Sequence, residues 1–189
     1  ALALIPAVFP VGTRLQKLGA LEAVAIQVLK EFKDEDVEIR VDIPVPEQGA
    51  VDLLVRFPIR PQQTYLIQLR TMGQCQAQYK EHRQELFWRT LKKRQFPSRV
   101  DYFEKIGLQE LWLKKNRPEI FGDSKFEQKR PTIKVLAITG QSSLFPYHQE
   151  HQYQVYGEEK VVVAKKRVLL HLMNADQITG FIRGYRDQS

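Results

Sequence analysis

The chain has 189 residues, with 29 Lys and Arg against 22 Asp and Glu and a formal charge of +7. That length suffices for one domain with a substantial core, or one domain plus a small appendage, and the charge favours polyanions such as nucleic acid or an acidic membrane surface. Cys75 is the only cysteine, which excludes an intrachain disulfide and a thiolate zinc site and reads as an intracellular, cytoplasmic chain.

The start, Ala1 to Pro10, is apolar, but it lacks a basic leader and is interrupted by Pro6 and Pro10, so it does not read as a signal peptide. No run approaches the ~20 apolar residues of a membrane span, and no membrane association is expected. The missing initiator Met suggests trimming or a leading segment. Leu15, Leu18, Leu21, Ala25, Val28, Leu29 and Phe32 recur at three and four, predicting a helix from about Thr13 to Lys33 with Thr13 as its cap. Glu22 lies beside this stripe, either aimed at a sheet or solvated.

After the charged turn Lys33–Asp36, Val37, Ile39, Val41 and Ile43 alternate with Glu38, Arg40 and Asp42, a half-buried strand ended by Pro44 and Pro46. Two apolar runs follow, Val51–Phe57 and Tyr65–Thr71, joined across Pro58–Pro61. They read as adjacent antiparallel strands with Asp52 and Gln68 on one face near one end. Gln68 and Arg70, two apart, share that face about 7 Å from one another. An acid beside an oxygen donor and a cation suits holding a hard divalent cation against a phosphate.

The pattern resembles the PD-(D/E)XK nuclease superfamily, the restriction-endonuclease-like fold, in which a helix carrying Glu precedes a hairpin bearing Asp and then Glu-x-Lys. Glu22, Asp52, Gln68 and Arg70 fill those positions in order, with Gln for the second acid and Arg for the Lys. The resemblance implies an α/β fold, a mixed central sheet flanked by helices with an αβββαβ core. It implies Mg²⁺ or Mn²⁺ as cofactor, bound by Asp52 directly, by the Gln68 amide oxygen or the Leu69 carbonyl, and by Glu22 through water. Arg70 would stabilise charge on the scissile phosphate. Gln supplies no negative charge, and Arg cannot act as a base at neutral pH.

From about Gln74 to Gln95 the Lys, Arg and Gln content predicts a basic helix, with Lys80, Arg83, Arg89, Lys92, Lys93 and Arg94 set for DNA phosphates or for solvent. Ser98 to Arg130 reads as a helical insert, and Thr132–Thr139 as a central strand buried on both faces. Residues 1–145 would thus form the nuclease-like core with an insert near 98–130. Residues 146–189 would add a strand and helix extension packed on it, with a short helix starting near Asn174. His148 and His151 read as loop residues more readily than as metal ligands. Phosphate-loop, dinucleotide and serine-hydrolase motifs are absent from the sequence.

Two functional classes remain. One is a metal-dependent endonuclease acting on DNA phosphodiesters. The other is a non-catalytic nuclease-fold module that binds DNA or serves as a structural subunit of a protein complex or homodimer.

Overall fold

A computed structural model describes residues 5–189, with side chains described from Leu15 onward. Residues 1–4 of the apolar start lie outside it. The elements in order are α1 (Ile5–Glu31), β1 (Glu38–Val45), β2 (Gly49–Phe57), β3 (Gln63–Arg70), β4 (Cys75–Lys80), β5 (Glu85–Thr90), β6 (Gln95–Pro97), α2 (Tyr102–Asn116), α3 (Lys125–Gln128), β7 (Ile133–Ile138), β8 (Ser143–Leu144), β9 (Tyr153–Tyr156), β10 (Glu159–Lys165), β11 (Leu169–Asn174) and α4 (Ile178–Asp187). The fold is mixed α/β. A seven-stranded sheet runs in the order β1-β2-β3-β7-β11-β10-β9, and a four-stranded sheet in the order β6-β5-β4-β8.

The helix α1 begins at Ile5, well before the expected Thr13. Pro6 falls in its first turn, where a missing N–H leaves no hydrogen bond unmade. Thr13 is therefore inside the helix and is not its cap.

In the large sheet β3 and β7 pair in parallel, as do β11 and β7, while the remaining neighbours are antiparallel. A parallel step needs a crossover, and the chain makes it through β4–β6, α2 and α3 before β7 returns to the middle of the sheet. Strand β7 is buried along almost its whole length, as its continuous apolar run demands.

Two layers cover the sheet. Leu21, Val24 and Val28 of α1, with Phe32 just after it, pack with Leu53, Val55, Ile67, Leu69 and Val135 on one face, joined by Phe181 and Ile182 of α4. Tyr102, Phe103, Ile106 and Leu113 of α2 pack with Leu54, Leu66 and Leu136 on the other, together with Tyr79 and Trp88 of the small sheet.

Residues 74–95 are a hairpin, not the expected helix. Ala77 and Tyr79 are buried while Gln76, Gln78 and Lys80 are more open, a period of two that only a strand satisfies. Gln84, at φ +52, closes the tight connection from β4 to β5. Helix-favouring Lys, Arg and Gln were outweighed by burial of the alternating apolar set, including Trp88.

The tail adds β9, β10 and β11 to the large sheet and α4 to the α1 layer. Residues 166–168 separate β10 from β11. The C-terminal helix starts at Ile178, after a 3₁₀ turn at Ala175–Gln177.

His171 on β11 is buried among Tyr156, Phe181 and Tyr185. Its Nδ1 donates to the Lys134 carbonyl at 3.2 Å, and its Nε2 accepts from the Tyr156 hydroxyl at 3.1 Å, so the neutral ring uses both nitrogens. Burial pushes its pKa down from 6.5 to about 4. The unfolded chain therefore takes up the proton first. Stability contributed by this group is complete above pH 6.5 and is lost as the pH falls toward 4. Lowering the pH from 7 to 5 should remove roughly 2 kcal/mol. Urea unfolding of the wild type and of His171→Phe at the two pH values checks this, and an equal pH dependence in both proteins would refute it.

Candidate functional site

Strands β2 and β3 are antiparallel with Leu53 opposite Ile67 and Leu54 opposite Leu66. Continuing that register sets Asp52 beside Gln68. Both side chains are buried. One Asp52 oxygen, Oδ2, accepts a hydrogen bond from the Leu69 N–H at 2.7 Å. The other, Oδ1, is ion-paired with Lys17 of α1.

Gln68 faces the α2 layer. Its amide nitrogen donates to the Ala50 carbonyl at 2.9 Å and to Gln109 Oε1 at 3.3 Å. Gln109 Nε2 in turn donates to the carbonyls of Gln48 and Ala50 at 3.1 and 3.0 Å. The two amides tie the β1–β2 turn to β3 and α2. Among the described residues Gln68 Oε1 has no hydrogen-bond partner, and it is buried.

The N-terminus of α2 completes the site. Asp101 caps it by accepting from the Phe103 and Glu104 N–H groups at 3.0 and 3.2 Å, and also pairs with Lys166 at 2.6 Å. This fixes Tyr102, Lys105 and Gln109, spaced three and four apart, as one row facing the sheet. The Arg70 guanidinium lies 5.3 Å from the centre of the Tyr102 ring, and its buried Nε has no partner among the described residues. Burial holds the Lys105 amine below the ordinary ammonium range; Arg70 and Lys17 push it the same way, and Asp52 opposes them. Burial likewise raises the Tyr102 phenol, against the pull of Arg70. The site thus brings three cations, Lys17, Arg70 and Lys105, to one carboxylate.

Compared with known protein families, curated proteins and solved structures, the chain matches none.

Of the residues singled out from the sequence, Asp52, Gln68, Leu69 and Arg70 come together. Glu22 is exposed on α1, one position beyond buried Leu21, and it is Lys17 that this helix brings to Asp52. Lys17, Tyr102, Lys105 and Gln109 carried no weight in the sequence reading. A signal existed for two of them. Lys17 extends the buried stripe Leu21, Val24, Val28 by one turn, and Gln109 interrupts the stripe Phe103, Ile106, Leu113.

The resemblance implies Mg²⁺ or Mn²⁺, and the donors present do not suit such an ion. Both oxygens of Asp52 are engaged, Gln68 brings no charge, and Glu22 is elsewhere on α1. Among the described residues no group of three or more His, Cys, Asp or Glu is clustered to hold a metal. His148 instead accepts from the Tyr79 N–H at 3.1 Å and His151 pairs with Glu81 at 2.6 Å.

The six cations expected on a basic helix lie on the small sheet and its turns. Lys80 and Arg83 sit 4.3 and 5.5 Å from the Phe87 ring centre, and Arg89 sits 4.9 Å from that of Phe145. Lys92, Lys93 and Arg94 occupy the exposed turn between β5 and β6. No described helix is long and apolar enough to cross a membrane.

Proposed function

We propose that the chain is a restriction-endonuclease-like module that binds DNA through its phosphates and does not cleave it. Two observations support the fold. One helix leads into three successive antiparallel strands, and a crossover containing α2 then delivers β7 parallel to β3, the αβββαβ order. Asp52, Gln68 and Arg70 lie on the β2–β3 hairpin, which supports the resemblance.

The observation that carries the function is the charge at that position. Lys17, Arg70 and Lys105 surround a carboxylate whose oxygens are already used. A cationic cluster of this kind attracts a phosphate and repels Mg²⁺. Arg70, stacked on Tyr102, keeps a permanent positive charge and a fork of donors suited to an anion. The surplus of cations on the small sheet adds sequence-independent contacts of the same kind.

Metal-dependent cleavage is the second reading, favoured by the open Gln68 Oε1. The two are separated by one set of assays. Fluorescence anisotropy with a duplex should show binding whose log K falls linearly with log salt, by about 0.9 for each phosphate contacted. Linear, nicked and branched DNA should stay intact with Mg²⁺ or Mn²⁺. Mn²⁺ should leave the wild-type melting temperature unchanged and raise that of the Gln68→Glu, Arg70→Lys double variant, in which a second carboxylate faces Asp52. Cleavage by wild type that disappears in Asp52→Asn would establish the nuclease reading instead. Absence of duplex binding at low salt would sink both.

A further inference from the structure

The β5–β6 hairpin has a tight, well-bonded tip. Thr90 N–H donates to the Arg94 carbonyl and Lys93 N–H to the Thr90 carbonyl, each at 2.9 Å, closing a three-residue loop of Leu91, Lys92 and Lys93. Lys93 has φ +60, the left-handed position that ends such loops and that glycine fills most easily. The Thr90 side chain accepts from the Arg94 N–H at 3.2 Å, stiffening the tip further. The register Arg89–Gln95, Trp88–Phe96 and Phe87–Pro97 anchors it to the small sheet through buried Trp88.

On this rigid tip stands Leu91, 74% exposed, the most exposed leucine described. It is followed directly by Lys92, Lys93 and Arg94, all exposed. Among the described residues none of these three side chains takes part in an ion pair. This contrasts with Lys80 and Arg83, stacked on Phe87 of the same sheet, and Arg89, stacked on Phe145 just after β8. A single exposed leucine is ordinary on a protein surface; what distinguishes Leu91 is its place on a hydrogen-bonded three-residue loop directly beside three exposed cations.

We propose that this hairpin is a wing that inserts into the minor groove of double-stranded DNA, with Leu91 wedged between base pairs and Lys92, Lys93 and Arg94 held on the flanking phosphates. The inference rests on the DNA-binding reading above and adds a mode to it. An apolar side chain pushed into a base step unstacks and kinks the duplex, and adjacent cations hold the bent backbone. Placement supports the same partner. Strand β6, three residues or about 10 Å long, leads from the tip toward α2, whose Tyr102 and Lys105 belong to the cationic site. The tip and the α2 residues of the cationic site are thus joined by one short stretch of chain.

The test uses the full chain, a duplex with 2-aminopurine at successive steps, and end-labelled duplexes whose bend is read by energy transfer. Wild type should raise 2-aminopurine fluorescence and shorten the end-to-end distance. Leu91→Ala should abolish both while leaving the salt slope unchanged. Lys92→Ala, Lys93→Ala and Arg94→Ala combined should weaken binding at least tenfold and flatten the slope by about 2 to 3. All four positions are exposed, so melting temperatures should match wild type. Salt-dependent binding with bend and fluorescence unchanged in Leu91→Ala overturns the wedge and leaves DNA binding standing. Binding of phosphatidylserine vesicles with none of duplex, lost in Leu91→Ala, overturns both.

Discussion

Replacing Asp52 with Ala should lower stability by about 3 kcal/mol. Its carboxylate is buried, and its loss leaves the Leu69 N–H without an acceptor inside the sheet, a penalty of about 1–3 kcal/mol. It also leaves Lys17, Arg70 and Lys105 facing one another with no counter-charge. The Lys17 side chain is 30% exposed, so solvent screens part of that repulsion, and the cost stays below that of a fully buried broken pair. For a chain of this size the change corresponds to a fall of roughly 6–12 °C in melting temperature. Asp52→Asn keeps an acceptor for Leu69 and should lose about half as much. A loss under 1 kcal/mol for Asp52→Ala in urea unfolding would show that Asp52 does not hold the site together. Phosphate at millimolar concentration should recover part of the loss in both variants, because Lys17, Arg70 and Lys105 remain in each.

The second large effect should come from Gly184→Ala. In a helix interior this change ordinarily stabilises by about 1 kcal/mol. Here the sign should reverse, with a net loss of about 3 kcal/mol. A Cβ on Gly184 would stand 2.2 Å from the Tyr156 carbonyl carbon and 2.4 Å from the Gly157 nitrogen, both backbone atoms at the turn between β9 and β10. Neither can swing aside, so α4 would have to lift from the sheet and pull Phe181 and Ile182 out of the core. Gly180, one turn earlier, is the control. A Cβ there meets only the Glu159 side chain, nearest at its carboxylate, which can rotate away, so Gly180→Ala should cost little. Circular dichroism melts of the two variants decide the matter. A Gly184→Ala protein as stable as wild type would mean that α4 does not press on this turn.

The tight seat of α4 also explains why the large sheet can carry its cationic site near one end of β2 and β3 without loss of order. The α1 and α4 layer fills the opposite face with Phe32, Phe57, Tyr65 and Phe181 in edge-to-face contact. Polar residues such as Gln68 and Gln109 then need only satisfy one another and the β1–β2 turn. Among the described residues, Gln68 Oε1 and Arg70 Nε are the buried side-chain atoms of the site left without a hydrogen-bond partner.

Local pattern in the sequence determined the first helix, the three strands after it and the buried central strand. Each alternates, or repeats at three and four, strongly enough to choose its own geometry. The same alternation set Asp52 and Gln68 side by side, because a proline-bounded connection between two such strands leaves an antiparallel pair as the short solution. Tertiary structure decided the rest. Residues 74–95 have the composition of a helix, and only burial of Ala77, Tyr79 and Trp88 in a second sheet made strands of them. The partner of Asp52 was equally hidden. Whether Glu22 or Lys17 reaches it depends on the angle at which α1 crosses the sheet, set by the packing of Leu21, Val24, Val28 and Phe32 against strands distant in sequence. Lys105 and Gln109 join the site for the same reason, since the crossover that carries α2 across the sheet is fixed by long-range packing and not by any residue near them in the chain.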